Sequence, residues 1–504
     1  MAQPKPRLAD LMASLSLAMD LGLGQPFEWV LRCCLTGVRL SEAMGLDDDQ
    51  RRDVYYLSLL RHLGCTSTSS ELAGAFGNEL MGPRVMLVDE TRPTDAIRLL
   101  ASMGRGQSPA KRVGSLRRAA AGPSRRVIDA TQCDVACRLA AGLGFGPDLV
   151  GSLRQTFERW DGKGVPEGLH GEELELPVRV AHVAQDLVAW GVALGPEEAR
   201  QAVRKRAGRL LDPSIVDLVD QIEPPLGDDD PLWDEVLSVE PKPPLMIEDL
   251  EAALVAVADF TDLKSPYFLG HSRKVSELGA SSGRRLGLSS EECRRIGRAG
   301  LVHDVGRVGV SSAVWDKAQA LNDSEMERVR LHPYYTERIL SRSGALDDLA
   351  EIACSHHECL NGGGYHRGVK GAALPMAARV LAAADDCAAL TEPRAHRPAF
   401  ELEQAERILR HLVAEGCLDG DATQAVLDEA MHRPSRARTG VGGLSDREIE
   451  ILRLAARGKT IRQMAEDLII SRKTVDRHLQ NVYAKIGVSN RAAAALFTLE
   501  HGLL

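Results

Sequence analysis

The residues best able to do chemistry in this chain are a His-Asp pair at His303-Asp304 and a His-His-Glu run at His356-His357-Glu358. His271, His332 and Asp385 lie in the same stretch, which brings the candidate ligands to five imidazoles and two carboxylates. That is more than one metal ion uses. Two ions at short range suit phosphoester hydrolysis, because together they activate water and neutralise phosphate oxygens. Imidazole with hard carboxylate suits Fe, Mn, Zn, Ni or Co, and spacing does not choose among these. Neighbouring side chains on a helix diverge by about 100°. A His-Asp pair can therefore feed two adjacent ions, with Asp304 as the bridge. His356-His357 is expected to repeat that logic on another helix, ahead of a Gly-rich turn. Any one of these histidines alone is more often a hydrogen-bonded core residue. The ordered set is what points to two divalent transition metals.

The elements that position these residues read as helical. Ser289 and Glu292 form a capping box before a helix with Ile296, Ala299 and Val302 on one apolar stripe, and His303 falls at its end. Pro333 and Pro375 suit first-turn positions of later helices. Runs of alternating β-branched residues are nearly absent, so the expected class is all-α. The apolar fraction of 44% and charged fraction of 26% are those of ordinary soluble domains. No apolar run approaches the ~20 residues of a membrane span, and the N-terminus lacks the apolar core of a signal peptide. A cytoplasmic protein is expected. The ten cysteines show no CxxC pair and read as reduced, buried thiols.

Two compositionally distinct stretches divide the chain. Residues 223–244 are acidic and Pro-rich, residues 432–443 are basic and Gly-rich, and both compositions disfavour a packed core. The expected domains are 1–222, 245–431 and 444–504, with those two stretches as linkers. The first two domains look like copies. Thr156–Asp186 aligns with His356–Asp386 without a gap, with ten of 31 positions identical, four of them glycine. Leu59–Gly64 likewise lies opposite Leu301–Gly306. The first copy carries Arg61-His62 at the His-Asp position, Thr156-Phe157 at the His-His position and Gln185 opposite Asp385. It is expected to keep the scaffold without metal.

Residues 444–504 carry ten Lys/Arg against seven Asp/Glu, on a chain whose net charge is −9. A basic tail on an acidic body points to the tail as the part that meets nucleic acid. Ile449, Leu452 and Leu454 mark a first helix, and Met464, Ala465 and Leu468 a second. Ser471 caps a third with Val475, Leu479 and Val482 inward, leaving Arg472, Lys473, Asp476, Arg477 and Gln480 outward. A polar outer face on the second helix of a helix-turn-helix is what enters the major groove.

Residues 271–398 resemble an HD-GYP domain of the HD phosphohydrolase superfamily. The motif-bearing residues are His271, His303-Asp304-Val305-Gly306-Arg307, His332-Pro333, His356 through His366, Arg379-Val380 and Ala384-Asp385. The resemblance implies a helical bundle enclosing metals held by His271, His303, Asp304, His332, His356, His357 and Asp385. It implies catalytic roles for Asp304 and Arg307, and substrate contacts from Arg307, Asn361, Gly364 and Tyr365. Family members typically hydrolyse cyclic-di-GMP. This chain has Arg307 for the family's lysine, Asn361 for an aspartate and His366 for the proline. Tyr267 stands where trinuclear members carry a glutamate, so two ions are expected. Residues 1–222 are similar to an HD-type domain stripped of ligands. Residues 444–504 resemble the LuxR-type helix-turn-helix, a four-helix unit. That likeness implies Lys473, Thr474, Asp476, Arg477 and Gln480 at double-stranded DNA, Lys485 at its backbone, and a homodimer paired through the last helix, near Asn490–His501.

The expected protein is a DNA-binding transcription regulator with a metal-dependent phosphohydrolase domain and a nucleotide or cyclic-dinucleotide ligand. Two alternatives stand beside it: a nucleotide-sensing regulator without turnover, and an HD nucleotidase acting on another phosphate ester.

Overall fold

The computed structural model describes residues 5–80, 87, 124–227, 232–432 and 441–504. Helices and short 3-10 turns dominate; among the described residues the only β pairing is isolated bridges, such as Asp161 with His170. The chain divides into two units, Met1–Ala253 with Ser343–Ala345, and Leu254–Arg342 with Leu346–Leu504.

In the second unit the central pair is His271–Arg285 and Ser290–Val302. The Ser289–Glu292 capping box closes reciprocally and starts the second of these helices as expected. Small residues let the two helices approach. A Cβ at Gly300 would stand 2.7 Å from Ser276 Cα, and one at Gly279 would stand 2.9 Å from Ile296. Ile296, Ala299 and Val302 are buried. Truncating Ile296 to Ala would cost about 2–5 kcal/mol, by transfer and by the cavity left behind. His332–Leu340, Asp347–Cys354 and Met376–Leu390 complete the frame. Pro333 lies in the first turn of its helix, whereas Pro375 is the N-cap, one residue earlier than expected.

The first unit repeats this plan with Trp29–Ala43, Asp48–Leu60, Arg125–Gly142 and Leu176–Leu194. Its glycine loop matches that of the second unit in detail. Positive φ occurs at Gly162, Gly168 and Gly171, and again at Gly362, Gly368 and Gly371. Glu158 accepts from the backbone of Glu167 and Gly168; Glu358 accepts from that of Arg367 and Val369. Arg179 pairs with Asp212 at 2.8 Å, and Arg379 with Asp419 at 3.1 Å.

Three expectations change. The acidic, Pro-rich stretch 223–244 is not a free linker: it contains the helix Leu232–Ser238, with Leu232 and Val236 buried. Its carbonyls are satisfied by Arg32 at Pro225 and Gly227 and by the Tyr55 hydroxyl at Val236. Tyr56 donates to Glu240, which is 5% exposed. Partners supplied by distant helices thus outweigh local composition. Second, Cys359 and Cys417 form a disulfide, while eight other cysteines are free and buried. Leu360 and Asn361 donate to the carbonyls of Cys417 and Gly416, and this pairing brings the thiols together. Third, His356 and His357 follow the end of Asp347–Cys354, in a turn and not on a helix. The expected basic linker lies mostly outside the described residues.

The C-terminal helices are Asp446–Ala456, Ile461–Asp467, Arg472–Ile486 and Arg491–Glu500. Ser471 caps the third, and Val475, Leu479 and Val482 are buried beneath it. The fourth helix is buried all round, from Ala493 to Leu499. One face joins Leu444, Ile449 and Leu452. On another, Leu499 lies against Gly270, one residue before His271.

Candidate metal centre and DNA-reading helix

Four of the five imidazoles are fixed by their Nδ1–H. His303, His332 and His356 each donate to the carbonyl three residues earlier, at Gly300, Val329 and Ala353, over 2.6–2.8 Å. His271 donates to the Glu392 carboxylate at 2.8 Å. Each hydrogen bond sets the tautomer and leaves Nε2 free to bind a cation. The three carbonyls belong to helix ends or turns, where the backbone has acceptors to spare.

The seven expected ligands come together as two groups. His271, His303, Asp304 and Asp385 form one, and His332, His356 and His357 the other. Six of the seven are at most 2% exposed, and His357 is half-buried at the open side. Asp304 faces both groups. Its Oδ2 lies 3.0 Å from His303 Nε2 and 3.5 Å from His271 Nε2; its Oδ1 lies 3.4 Å from His332 Nε2 and 3.5 Å from His356 Nε2. Both Asp304 oxygens and His303 Nε2 are buried without a well-directed hydrogen bond. Buried polar groups without directed hydrogen bonds are costly, and a cation held between them would lower that cost. The donor set, imidazole with carboxylate, fits divalent transition metals.

The electrostatics differ between the groups. Burial, and then the neighbouring imidazoles, push His332 and His357 down, so they are neutral with lone pairs available. Burial would also depress His303, but Asp304 and Asp385 outweigh it and raise the ring to about 10. A metal entering there displaces a proton. Burial and the adjacent Asp385 push Asp386 up to about 8, which keeps it neutral at pH 7.

The residues expected at substrate divide. Arg307 is 6% exposed, 2.6 Å from Asp304 Oδ2, and stacked on Phe268 and Trp315. Tyr365 lies beside the site, its ring 4.5 Å from that of His357. Asn361 is exposed and uses its side chain on the backbone of Gly363 and Glu415. Gly364 is packed against Glu358, where a Cβ would stand 2.6 Å from Cα. His366 meets Glu337 at 3.2 Å. Sequence reasoning missed Glu392, Phe268 and Trp315.

On the third C-terminal helix, Lys473, Asp476, Arg477 and Gln480 are exposed on one face, and Thr474 is partly covered by its contact with Ser471. Lys485 is engaged within the domain, with Glu448 at 2.7 Å.

Residues 256–421 match the HD domain family, and residues 443–498 match the bacterial regulatory proteins of the luxR family. The 3'3'-cGAMP-specific phosphodiesterase 3 of Vibrio cholerae is 31% identical over 415 residues, covering 80% of this chain and 90% of that protein. The cyclic di-GMP phosphodiesterase response regulator RpfG of Xanthomonas campestris pv. campestris is 34% identical over 159 residues, 30% of this chain and 40% of that protein. A crystal structure of a V. cholerae cyclic GMP-AMP-specific phosphodiesterase superposes with a TM-score of 0.59 at 26% identity, covering 86% of this chain and 99% of that one. The chain therefore belongs to the HD-GYP family of HD-domain proteins, and it joins that fold to a C-terminal LuxR-type regulatory domain.

Proposed function

We propose that this protein is a two-metal phosphodiesterase for cyclic dinucleotides whose site state is read out as DNA binding. The observation that carries the reading is Asp304, with one oxygen toward each ligand group. A carboxylate so placed serves two cations at once. The family likeness supplies the substrate class.

His271, His303 and Asp385 would hold one ion, His332, His356 and His357 the other, and Asp304 would belong to both. Divalent ions there supply Lewis-acid polarisation of phosphoryl oxygens and an activated water. The chain's own residues do the rest. Glu392 and the three carbonyls fix four of the imidazoles, so those rings need not reorient. Arg307, always charged, offers a planar donor fork to a phosphate oxygen from the buried side of the site. Tyr365 closes the open side with a face on which a base can stack.

Domain reading follows the ligand content: residues 1–222 are an HD-like copy without metal ligands, 245–431 the hydrolase and 444–504 the DNA reader. Lys473, Thr474, Asp476, Arg477 and Gln480 face DNA, and two copies read two half-sites. Leu499 against Gly270 supports coupling, since the reader's last helix touches the residue preceding a ligand. Asn361, Gly364 and Lys485 are better understood as shaping the glycine loop and the C-terminal core than as contacting ligands.

One observation favours a regulator without turnover. Arg307 already pairs with Asp304, and a guanidinium competes with a metal for that carboxylate. Metal analysis and hydrolysis assays separate the two readings. The expected result is two ions per chain, hydrolysis of a cyclic dinucleotide, and loss of both ions and activity in Asp304→Ala. Tight cyclic-dinucleotide binding with no product under metal-supplemented, anaerobic conditions would assign the second reading instead.

A further inference from the structure

The first unit has an open cavity of about 470 Å³ where the second unit has its metal centre. The correspondence can be followed residue by residue. Asp20 accepts from the backbone at Val30 as Asp262 does at Ser272, and Glu28 has the left-handed backbone of Gly270. Trp29 therefore stands for His271. A Cβ at Gly64 would meet the Gln132 carbonyl at 2.0 Å, and one at Gly306 would meet the His332 carbonyl at 2.1 Å. Gln132 therefore stands for His332, and Arg61 and His62 stand for His303 and Asp304. With Thr156, Phe157 and Gln185, every one of the seven ligand positions has changed type, and neither carboxylate survives.

What replaces the metal's charge is Arg61. It lines the cavity, is 7% exposed, and its Nε and Nη1 have no hydrogen-bond partner; its Nη2 reaches only the Thr156 carbonyl at 3.4 Å. Three of the acids lining the cavity have partners of their own. Asp186 pairs with Arg206 at 2.7 Å, Asp129 with Arg125 at 2.7 Å, and Glu158 accepts from the glycine-loop backbone. His62 and His182 are pushed down to about 3, by burial first and then by Arg61, so they add no charge. A buried guanidinium with unfilled donors is costly, and an anion that enters the cavity and accepts from them reduces that cost. The exposed Arg126 and Lys163 stand at the rim. Phe157, in place of His357, offers a ring face instead of a lone pair. The volume is that of small-molecule sites, about 300–1,000 Å³.

We propose that the first unit is a metal-independent receptor for a nucleotide phosphate ester, with Arg61 as its buried phosphate-binding cation, and that the ligand is held there without being hydrolysed. The inference does not rest on turnover in the second unit.

The test is equilibrium dialysis of the full-length protein in excess EDTA against four labelled probes: 3'3'-cyclic GMP-AMP, a 5'-phosphorylated linear dinucleotide, GMP and inorganic phosphate. At least one nucleotide probe is expected to bind at one site per chain. That site should persist in Asp304→Ala, and should weaken at least tenfold in Arg61→Gln and in Arg126→Glu/Lys163→Glu. The four arms tell cyclic from linear ligand and diester from monoester. Because Arg61 is buried, its variant is first checked for folding; the surface double variant decides alone if that one fails. The proposal is overturned if no nucleotide probe binds in EDTA, if phosphate binds alone, or if binding is lost in Asp304→Ala and unchanged in the Arg126/Lys163 variant.

Discussion

Glu392→Gln should remove one metal and spare the other. Glu392 lies 2.8 Å from His271 Nδ1, with Lys274 and Arg394 each 3.4 Å away. Burial would raise its carboxyl, but His271 and then Lys274 and Arg394 hold it at about 2, so it is ionised at any working pH. An ionised acceptor on Nδ1–H raises the basicity of Nε2, the atom that meets the cation. Glutamine keeps the shape and an acceptor oxygen and removes the charge. Changes to such outer partners cost about 10–100-fold in metal affinity, or about 1.4–2.8 kcal/mol at 1.4 kcal/mol per tenfold. His271 belongs to the group with His303, Asp304 and Asp385, whereas His332 and His356, in the other group, keep their own carbonyl anchors at Val329 and Ala353. The assay is dialysis against buffered free metal with elemental analysis, run across at least three decades of metal concentration. Wild type should fill two sites; the variant should show one unchanged and one shifted by one to two decades. Identical isotherms, or both sites shifting together, would refute the division of labour.

Three further outcomes follow from the geometry. Arg477→Ala, at an exposed position on the DNA-reading helix, should lower discrimination between operator and random DNA by about 1–3 kcal/mol if it meets a base edge; equal weakening on both DNAs, with a shallower salt slope, would make it a phosphate contact. Glu448→Gln removes a carboxylate held at about 2 by Lys485 and the Ser445 cap. Its pKa is depressed on folding, so its stabilisation is full above about 4.5 and disappears as pH falls toward about 2. Hydrogen exchange over residues 446–456 should be faster in the variant at pH 7 by about 0.5–2 kcal/mol, with the difference closing in that window. Chelation should lower the Tm of wild-type protein and leave that of Asp304→Ala unmoved, because ions that bind only the folded state stabilise it by mass action.

The metal ligands were legible because they sit in short ordered motifs, and the capping box at Ser289 and the N-cap at Ser471 were legible because a cap is local chemistry. What holds the ligands was not. Glu392, Phe268 and Trp315 are brought in by packing, and no local pattern marks them as partners of His271 and Arg307. The equivalence of Trp29 and His271 was hidden for a different reason. The offset between copies is 242 at Trp29, Arg61 and His62, and 200 from Gln132 onward, so one alignment without a gap reaches only half of the repeat. Composition misled at 223–244, since it counts prolines and acids and takes no account of Arg32, Tyr55 and Tyr56 waiting to satisfy that backbone.

Leu499 against Gly270 has a consequence for the direction of control. If occupancy of the metal centre changes operator affinity by some factor, the operator must change ligand affinity by the same factor, because linkage between binding events is reciprocal. A promoter would then be an effector of the hydrolase. Copies seated on DNA would hold their nucleotide more tightly or more loosely than copies in free solution, and the number of operator sites in a cell would set how much of the nucleotide pool each class draws.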